Sequence, residues 1–457
     1  MSIEESRLEL RLPDEGDPTG PQPVPFASQM ILGGGFEDVA PVLQAALDTT
    51  ATPDEAEQVI TDHGLGLWRA AVDRAQGRVG RGDLPPADDR PLYWTRLLAS
   101  TTIRHWTPGF DLDEDRREGL LEAFDRASRG AASVDFPDDG VRILVSGFDP
   151  YTLDGGATGP AAETAGNNLR HGNPSGAAAL ALHGTEYVRS DGRTVRIQAY
   201  VLPVSYSRFA RGYLEDTVGP WMRPGPQRLH ASITVSQGSG SQFNLEEYNA
   251  RYHAGRADND GEQPAPSTDA VAVPADSPEV FIQVPQRWGG PEEFDLHDPP
   301  QWTRTSLPVE AMITARTGAD VPRPAASRWP ETDVAFGVVW NTRFEEIPDP
   351  AHAERAVRND PVPHGFPPPE PPVAPGAGSI SYRGGGGNYL SNESAYRNTL
   401  LRDRLSGGAA VAAGHIHTPD MHHFATQFGG SDELFEETRQ AIVTQTAALV
   451  RAAAERV

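Results

Sequence analysis

Two residue types are missing from this sequence, cysteine and lysine. Without cysteine there is no disulfide, no thiolate nucleophile and no Cys-ligated metal. Without lysine there is no Schiff-base chemistry and no phosphate-binding P-loop lysine. All 39 basic residues are therefore arginines, set against 64 acids, for a formal net charge of −25. Such a surface repels nucleic acid and anionic membranes, so neither is expected as a partner. No apolar run reaches the ~18 residues needed to cross a bilayer. The opening MSIEESRLELRLPDEGDP has neither a basic nor an apolar leader segment, which predicts no signal peptide and a cytoplasmic protein. No cofactor is expected.

What is abundant is glycine (46) and proline (42), the composition of a chain with many loops. At 457 residues it is long enough for two domains. Residues 1–30 are polar and proline-rich and read as an extended arm. Residues 36–130 carry helical apolar spacing, as in Leu67, Trp68, Ala71 and Val72, so 1–136 reads as an arm plus a helical domain. The character changes at Pro137-Asp138-Asp139-Gly140. VRILVSGF (141–148), VRIQAYVLPV (195–204) and HASITVSQ (230–237) read as strands, and the Ala-rich 174–184 as a helix between them. Strands alternating with helices predict an α/β domain over 137–457, a three-layer α/β/α core with a mostly parallel twisted sheet. Two loop-rich stretches, about 262–300 and 326–378, read as insertions.

Short motifs in fixed order carry a more specific signal. They are Gly147-Phe148-Asp149-Pro150-Tyr151 with Asn173-Pro174-Ser175, then Leu202-Pro203, then Gln237-Gly238 with Leu245-Glu246 and Arg256-Ala257-Asp258-Asn259. Ser306-Leu307-Pro308 follows, then Gly387-Asn388-Tyr389-Leu390-Ser391-Asn392 and Gly414-His415-Ile416-His417-Thr418-Pro419. In this order they resemble the pyroglutamyl peptidase I family, which removes N-terminal pyroglutamate from peptides. The resemblance covers roughly 141–261, 302–325 and 379–430. The main departure is Ser391, which stands where that family keeps a nucleophilic cysteine.

The resemblance implies Ser391 as nucleophile, His417 as base and Glu246 as orienting carboxylate, with Phe148, Tyr151, Asn173, Gln237 and Arg256 around a peptide or small amide substrate. Chemistry alone leaves alternatives open. Serine is a preferred helix cap, and Ser391 equally reads as the N-cap of the helix that follows it. His415-Ile416-His417 with His422-His423 could pair on a metal, but no metal site is expected. Of the adjacent Glu246 and Glu247, one is expected to face the site and the other solvent. Two functions follow. One is a hydrolase using a Ser-His-Glu set. The other is an inactive binding or scaffold protein that has lost the cysteine. The sequence leaves assembly into homo-oligomers open.

Overall fold

The structure is a computed structural model. It describes residues 2–17, 19–153, 168–254, 257–263, 281–283, 299–317, 336–348, 357–359, 366–368, 371–407, 410–421 and 428–457. After a short helical turn at Ile3–Ser6, the N-terminal part holds α1 (Phe26–Gly34), α2 (Val39–Leu47), α3 (Pro53–Ala75), α4 (Arg90–His105) and α5 (Glu114–Ser128). Thr52 caps α3 just before Pro53, and Asp113 caps α5 before Glu114 and Asp115. Both use a side-chain oxygen to satisfy an otherwise unpaired amide, and the acids complement the helix dipole. Trp68, Trp94 and Phe124 are fully buried between these helices.

The arm is not extended throughout. Ile3–Ser6 forms one helical turn closed by a Ser2–Glu5 capping box, and Phe26–Gly34 is helical. Phe26, Ala27, Met30 and Ile31 make an apolar stripe, and Phe26 meets Trp94 edge to face at 5.9 Å. Burial of that stripe outweighs the prolines around it.

The second half is an α/β unit. Its sheet has seven strands: β1 (Val141–Phe148), β2 (Thr185–Val188), β3 (Thr194–Leu202), β4 (Ala231–Gln237), β5 (Gln242–Glu246), β6 (Gly337–Asn341) and β7 (Ala412–Thr418). The spatial order is β6-β5-β7-β4-β1-β3-β2. Strands β3, β1, β4 and β7 are mutually parallel, β2 is antiparallel at one edge, and β5 with β6 runs antiparallel to β7 at the other. The expected insertion at 326–378 is thus partly core. Gly337–Asn341 is an edge strand of the main sheet, because Val338 and Trp340 pack on the apolar core.

Helices α6 (Pro174–Leu182) and α9 (Glu433–Ala454) cover one face, and α7 (Tyr213–Met222) and α8 (Leu390–Leu405) the other. The two-residue strand period sorts the side chains. Val141, Ile143 and Val145 join α9 in one core, while Leu144 and Phe148 join α7 and α8 in the second. The first core continues without a break into Trp68, Trp94 and Phe124, so the N-terminal helices share their apolar interior with the sheet. Among the described residues no helix is long and apolar enough to cross a membrane.

Candidate functional site

A cavity of about 970 Å³ opens where the parallel strands end. That is where ligands enter open α/β sheets. Phe148, Gln237, Glu246, Ser391 and His417, which come from five elements, all line it. Its floor is a row of polar side chains across three neighbouring strands. On β7, His417 lies opposite Asn244 of β5, and His415 opposite Glu246. Glu246 is therefore the diagonal neighbour of His417 on the same face, within side-chain reach. His417 Nδ1 lies 2.7 Å from Glu246 Oε1. The other carboxylate oxygen accepts a 2.6 Å hydrogen bond from Asn341 Nδ2 on β6. Glu246 is almost completely buried, and between them Asn341 and His417 occupy both of its oxygens.

His415 backs this row. Its nitrogens meet Thr234 Oγ1 at 2.7 Å and Ser236 Oγ at 2.8 Å, and its ring packs edge-on against His417 at 4.6 Å. Burial, reinforced by His417, holds its pKa well below the usual histidine range, so His415 stays neutral. The two rings share a face, but hydroxyls occupy both His415 nitrogens. Among the described residues no cluster suits a metal ion. His422 and His423 lie outside those residues.

The glycine run brings the nucleophile candidate to this row. Gly384 and Gly387 close a tight turn by exchanging backbone hydrogen bonds. A Cβ on Gly385 would stand 2.2 Å from Glu246 Oε2, so no side chain fits there. A Cβ on Gly386 would lie 3.3 Å from His417 Cε1 and 3.4 Å from Asn392 Cα, so one methyl group would span the gap between the imidazole and the start of α8. Tyr389 is the N-cap of that helix and Leu390 its first residue. Ser391 is inside the first turn and does not cap it. The helix is held from behind: Asn392 bonds the backbone of Ala250, and Asn398 bonds the Ser232 carbonyl at 2.9 Å. Buried Arg397 bridges Glu393 and Glu215. No hydrogen bond joins the Ser391 hydroxyl to His417 among the described residues.

The residues expected around a substrate divide. Phe148 lines the cavity and stacks parallel to Phe209 at 6.2 Å. Tyr151 and Gln237 line it too, and Gln237 Nε2 reaches the Tyr151 hydroxyl at 3.4 Å and Asp420 at 3.3 Å. Asn173 touches the cavity wall, but its side chain is committed: Oδ1 caps α6 through Ser175, and Nδ2 donates to the Asp149 carbonyl. Arg256 lies outside the described residues. Glu247 does not face solvent as expected. It is buried on the opposite side of the strand, paired with Arg304 and bonded by Trp340 Nε1 at 2.9 Å.

Three features escape a reading of the sequence. Asn341, the donor to Glu246, sits in a stretch that reads as an insertion. Asp149, beside Phe148, is an anchor: it pairs with Arg96 of α4 at 2.5 Å and with Arg129 at the end of α5. Arg343, Arg358 and Arg383 line the same cavity as His417.

Two family models match the chain: the PA0049 N-terminal domain over residues 1–125 and the PA0049 C-terminal domain over 142–422. The chain is 40% identical to "Uncharacterized protein PA0049" of Pseudomonas aeruginosa, over 98% of this chain and 88% of that one. No solved structure matches. None of these three matches carries the name of a pyroglutamyl peptidase. By the extent of these matches, the chain belongs to the PA0049 family.

Proposed function

We propose that this protein is a hydrolase of an N-terminal pyroglutamyl or related small amide bond, acting through Ser391, His417 and Glu246. The observation that carries the reading is the Asn341–Glu246–His417 row on the cavity floor, with the start of α8 one methyl width from the imidazole. A carboxylate held on one oxygen by Asn341 and on the other by His417 Nδ1 fixes the ring so that Nε2 carries the lone pair. Ser391 Oγ attacks the amide carbonyl carbon as Nε2 takes its proton. The tetrahedral oxyanion is stabilised by first-turn amides of α8, whose N–H groups have no partner within the helix. The C–N bond then breaks, the imidazolium returns the proton to the leaving amine, and water cleaves the acyl-serine by the same route in reverse. Neutral His415 behind the ring adds no second charge to oppose the imidazolium.

The test is turnover of pyroglutamyl-7-amido-4-methylcoumarin and related N-acyl amides. Wild type should release the fluorophore and Ser391→Ala should not. Ser391→Cys separates loss of the nucleophile from loss of the pocket. An inert wild type with an active Cys variant would mean that the site is intact and only oxygen fails. The second reading, a catalytically silent binding protein, is favoured by the missing hydrogen bond between Ser391 and His417. Such bonds commonly tighten only when substrate is bound. Inert wild type and inert Cys variant would decide for the binding protein.

A further inference from the structure

The polar row on the cavity floor continues one strand beyond His417. In the parallel pairing of β7 with β4, Ser236 stands beside His417 and Thr234 beside His415. In the pairing of β4 with β1, Thr234 stands beside Ser146, and the same register two residues on sets Phe148 beside Ser236. These side chains share the face that α8 covers. Ser232, on the same side of β4, bonds Asn398 of that helix, and Phe148 belongs to the core under α7 and α8. Ser236, Phe148 and His417 all line the cavity. Ser236 thus occupies the floor between the imidazole and the apolar wall, one strand spacing, roughly 4.8 Å, from each.

The Ser236 hydroxyl has a fixed polarity. Its Oγ lies 2.8 Å from His415 Nε2, and His415 Nδ1 lies 2.7 Å from Thr234 Oγ1. His415 is fully buried and neutral, so one ring nitrogen donates and the other accepts. Thr234 Oγ1 also reaches the Gly414 carbonyl at 3.3 Å, and a carbonyl can only accept. With the Thr234 proton on that carbonyl, Nδ1–H donates to Thr234 and Nε2 accepts from Ser236, which satisfies every group. Ser236 Oγ then turns only lone pairs to the cavity. Among the described residues it makes no other hydrogen bond. An acyl group with its carbonyl at His417 and its body against Phe148 and Tyr151 passes over this oxygen. Building on the hydrolase reading, we propose that Ser236 is a specificity-determining residue that accepts a hydrogen bond from the substrate. The preferred acyl groups carry an N–H or O–H on the carbon next to the scissile carbonyl.

The experiment compares three 7-amido-4-methylcoumarin substrates of one shape on the full chain. They are the pyroglutamyl compound, the 3-oxocyclopentanecarbonyl compound with CH2 in place of the ring N–H, and the 5-oxotetrahydrofuran-2-carbonyl compound with a ring oxygen there. Wild type should cleave the lactam with kcat/KM about tenfold above the CH2 compound, because an unmatched buried acceptor costs about that much. The ring-oxygen compound should be poorest, since it sets acceptor against acceptor. Ser236→Ala should raise KM for the lactam about tenfold and level the three compounds, and Ser236→Thr, which keeps the hydroxyl, should restore part of the preference. Equal cleavage of the lactam and the CH2 compound by wild type would overturn the proposal and leave the hydrolase reading standing. So would ring-oxygen cleavage as fast as the lactam's, which would mean that Ser236 donates, or a lactam preference that survives Ser236→Ala. Loss of kcat with KM unchanged in Ser236→Ala would also overturn it, by putting Ser236 in the chemistry. If wild type cleaves none of the three, calorimetry with pyroglutamide and 3-oxocyclopentanecarboxamide decides. Tighter binding of pyroglutamide keeps the Ser236 site and sinks the hydrolase reading; equal binding, or none, overturns the site.

Discussion

Two sets of buried charges, one where the N-terminal helices meet the sheet and one on the cavity floor, are built differently. At the junction with the N-terminal helices the partners of the carboxylates are guanidiniums. Asp125 pairs with Arg129 and Arg208, Asp149 with Arg96 and Arg129, and Asp88 with Arg90 and Arg439. Burial alone would raise the pKa of Asp125 and Asp88, but the adjacent arginines outweigh it and hold both well below the usual carboxylate range. In the cavity Glu246 meets an imidazole and an amide instead. A guanidinium does not release its proton, so the junction is a fixed charge lattice that fastens two structural layers. In the proposed mechanism the imidazole passes a proton between serine and leaving amine, a part that a guanidinium does not take. Under the proposed function, the same kind of buried acid serves attachment in one place and proton transfer in the other, according to its partner.

Swapping the charge out of each set should have different consequences. In the cavity, Glu246→Gln removes the charge that stabilises the imidazolium and should lower kcat/KM by about 10³–10⁴-fold, with little change in thermal midpoint. At the junction, Arg129→Ala leaves Asp125 and Asp149 short of a partner and should cost about 3–5 kcal/mol by chemical denaturation.

A third change tests an acid of the junction that the arginines do not hold in its charged form. Burial and neighbouring Asp88 push Asp89 up to about 7, above its ordinary 3.8. The folded chain therefore keeps a proton that the unfolded chain has given up, and stability falls as pH rises from about 4 through 7. Asp89→Asn should abolish that fall, gaining on the order of a few kcal/mol at pH 8 and almost nothing at pH 4 in thermal melts. The smallest effect is expected for Asn341→Ala. Without its donor, one Glu246 oxygen is left buried and unpaired, which should slow turnover about tenfold with a modest fall in stability.

What could be read from the sequence follows from how local each signal is. VRILVSGF announces a buried strand by composition, whereas Ser391, Glu246 and His417 are singled out only by the family resemblance of the short motifs that hold them. Asn341 is not, because its bond to Glu246 spans 95 residues and AFGVVW sits among proline- and acid-rich sequence. Strand pairing over that distance leaves no local mark. The burial of Glu247 is equally invisible locally. Adjacent strand residues do point to opposite faces, but here Arg304 and Trp340 cover the far face, so the second acid meets partners and not water. The helix at Phe26–Gly34 was hidden by flanking prolines, although its apolar stripe is plain once Trp94 is seen opposite. Nor does a linear reading show that Arg343, Arg358 and Arg383 converge on one wall.

The most direct test of the central claim is covalent labelling of the full-length chain with a fluorophosphonate, read by intact mass and peptide mapping. The account predicts a single adduct on Ser391 that disappears in Ser391→Ala and nearly disappears in His417→Ala. No adduct on the wild-type chain, or one that forms equally well without His417, would contradict it.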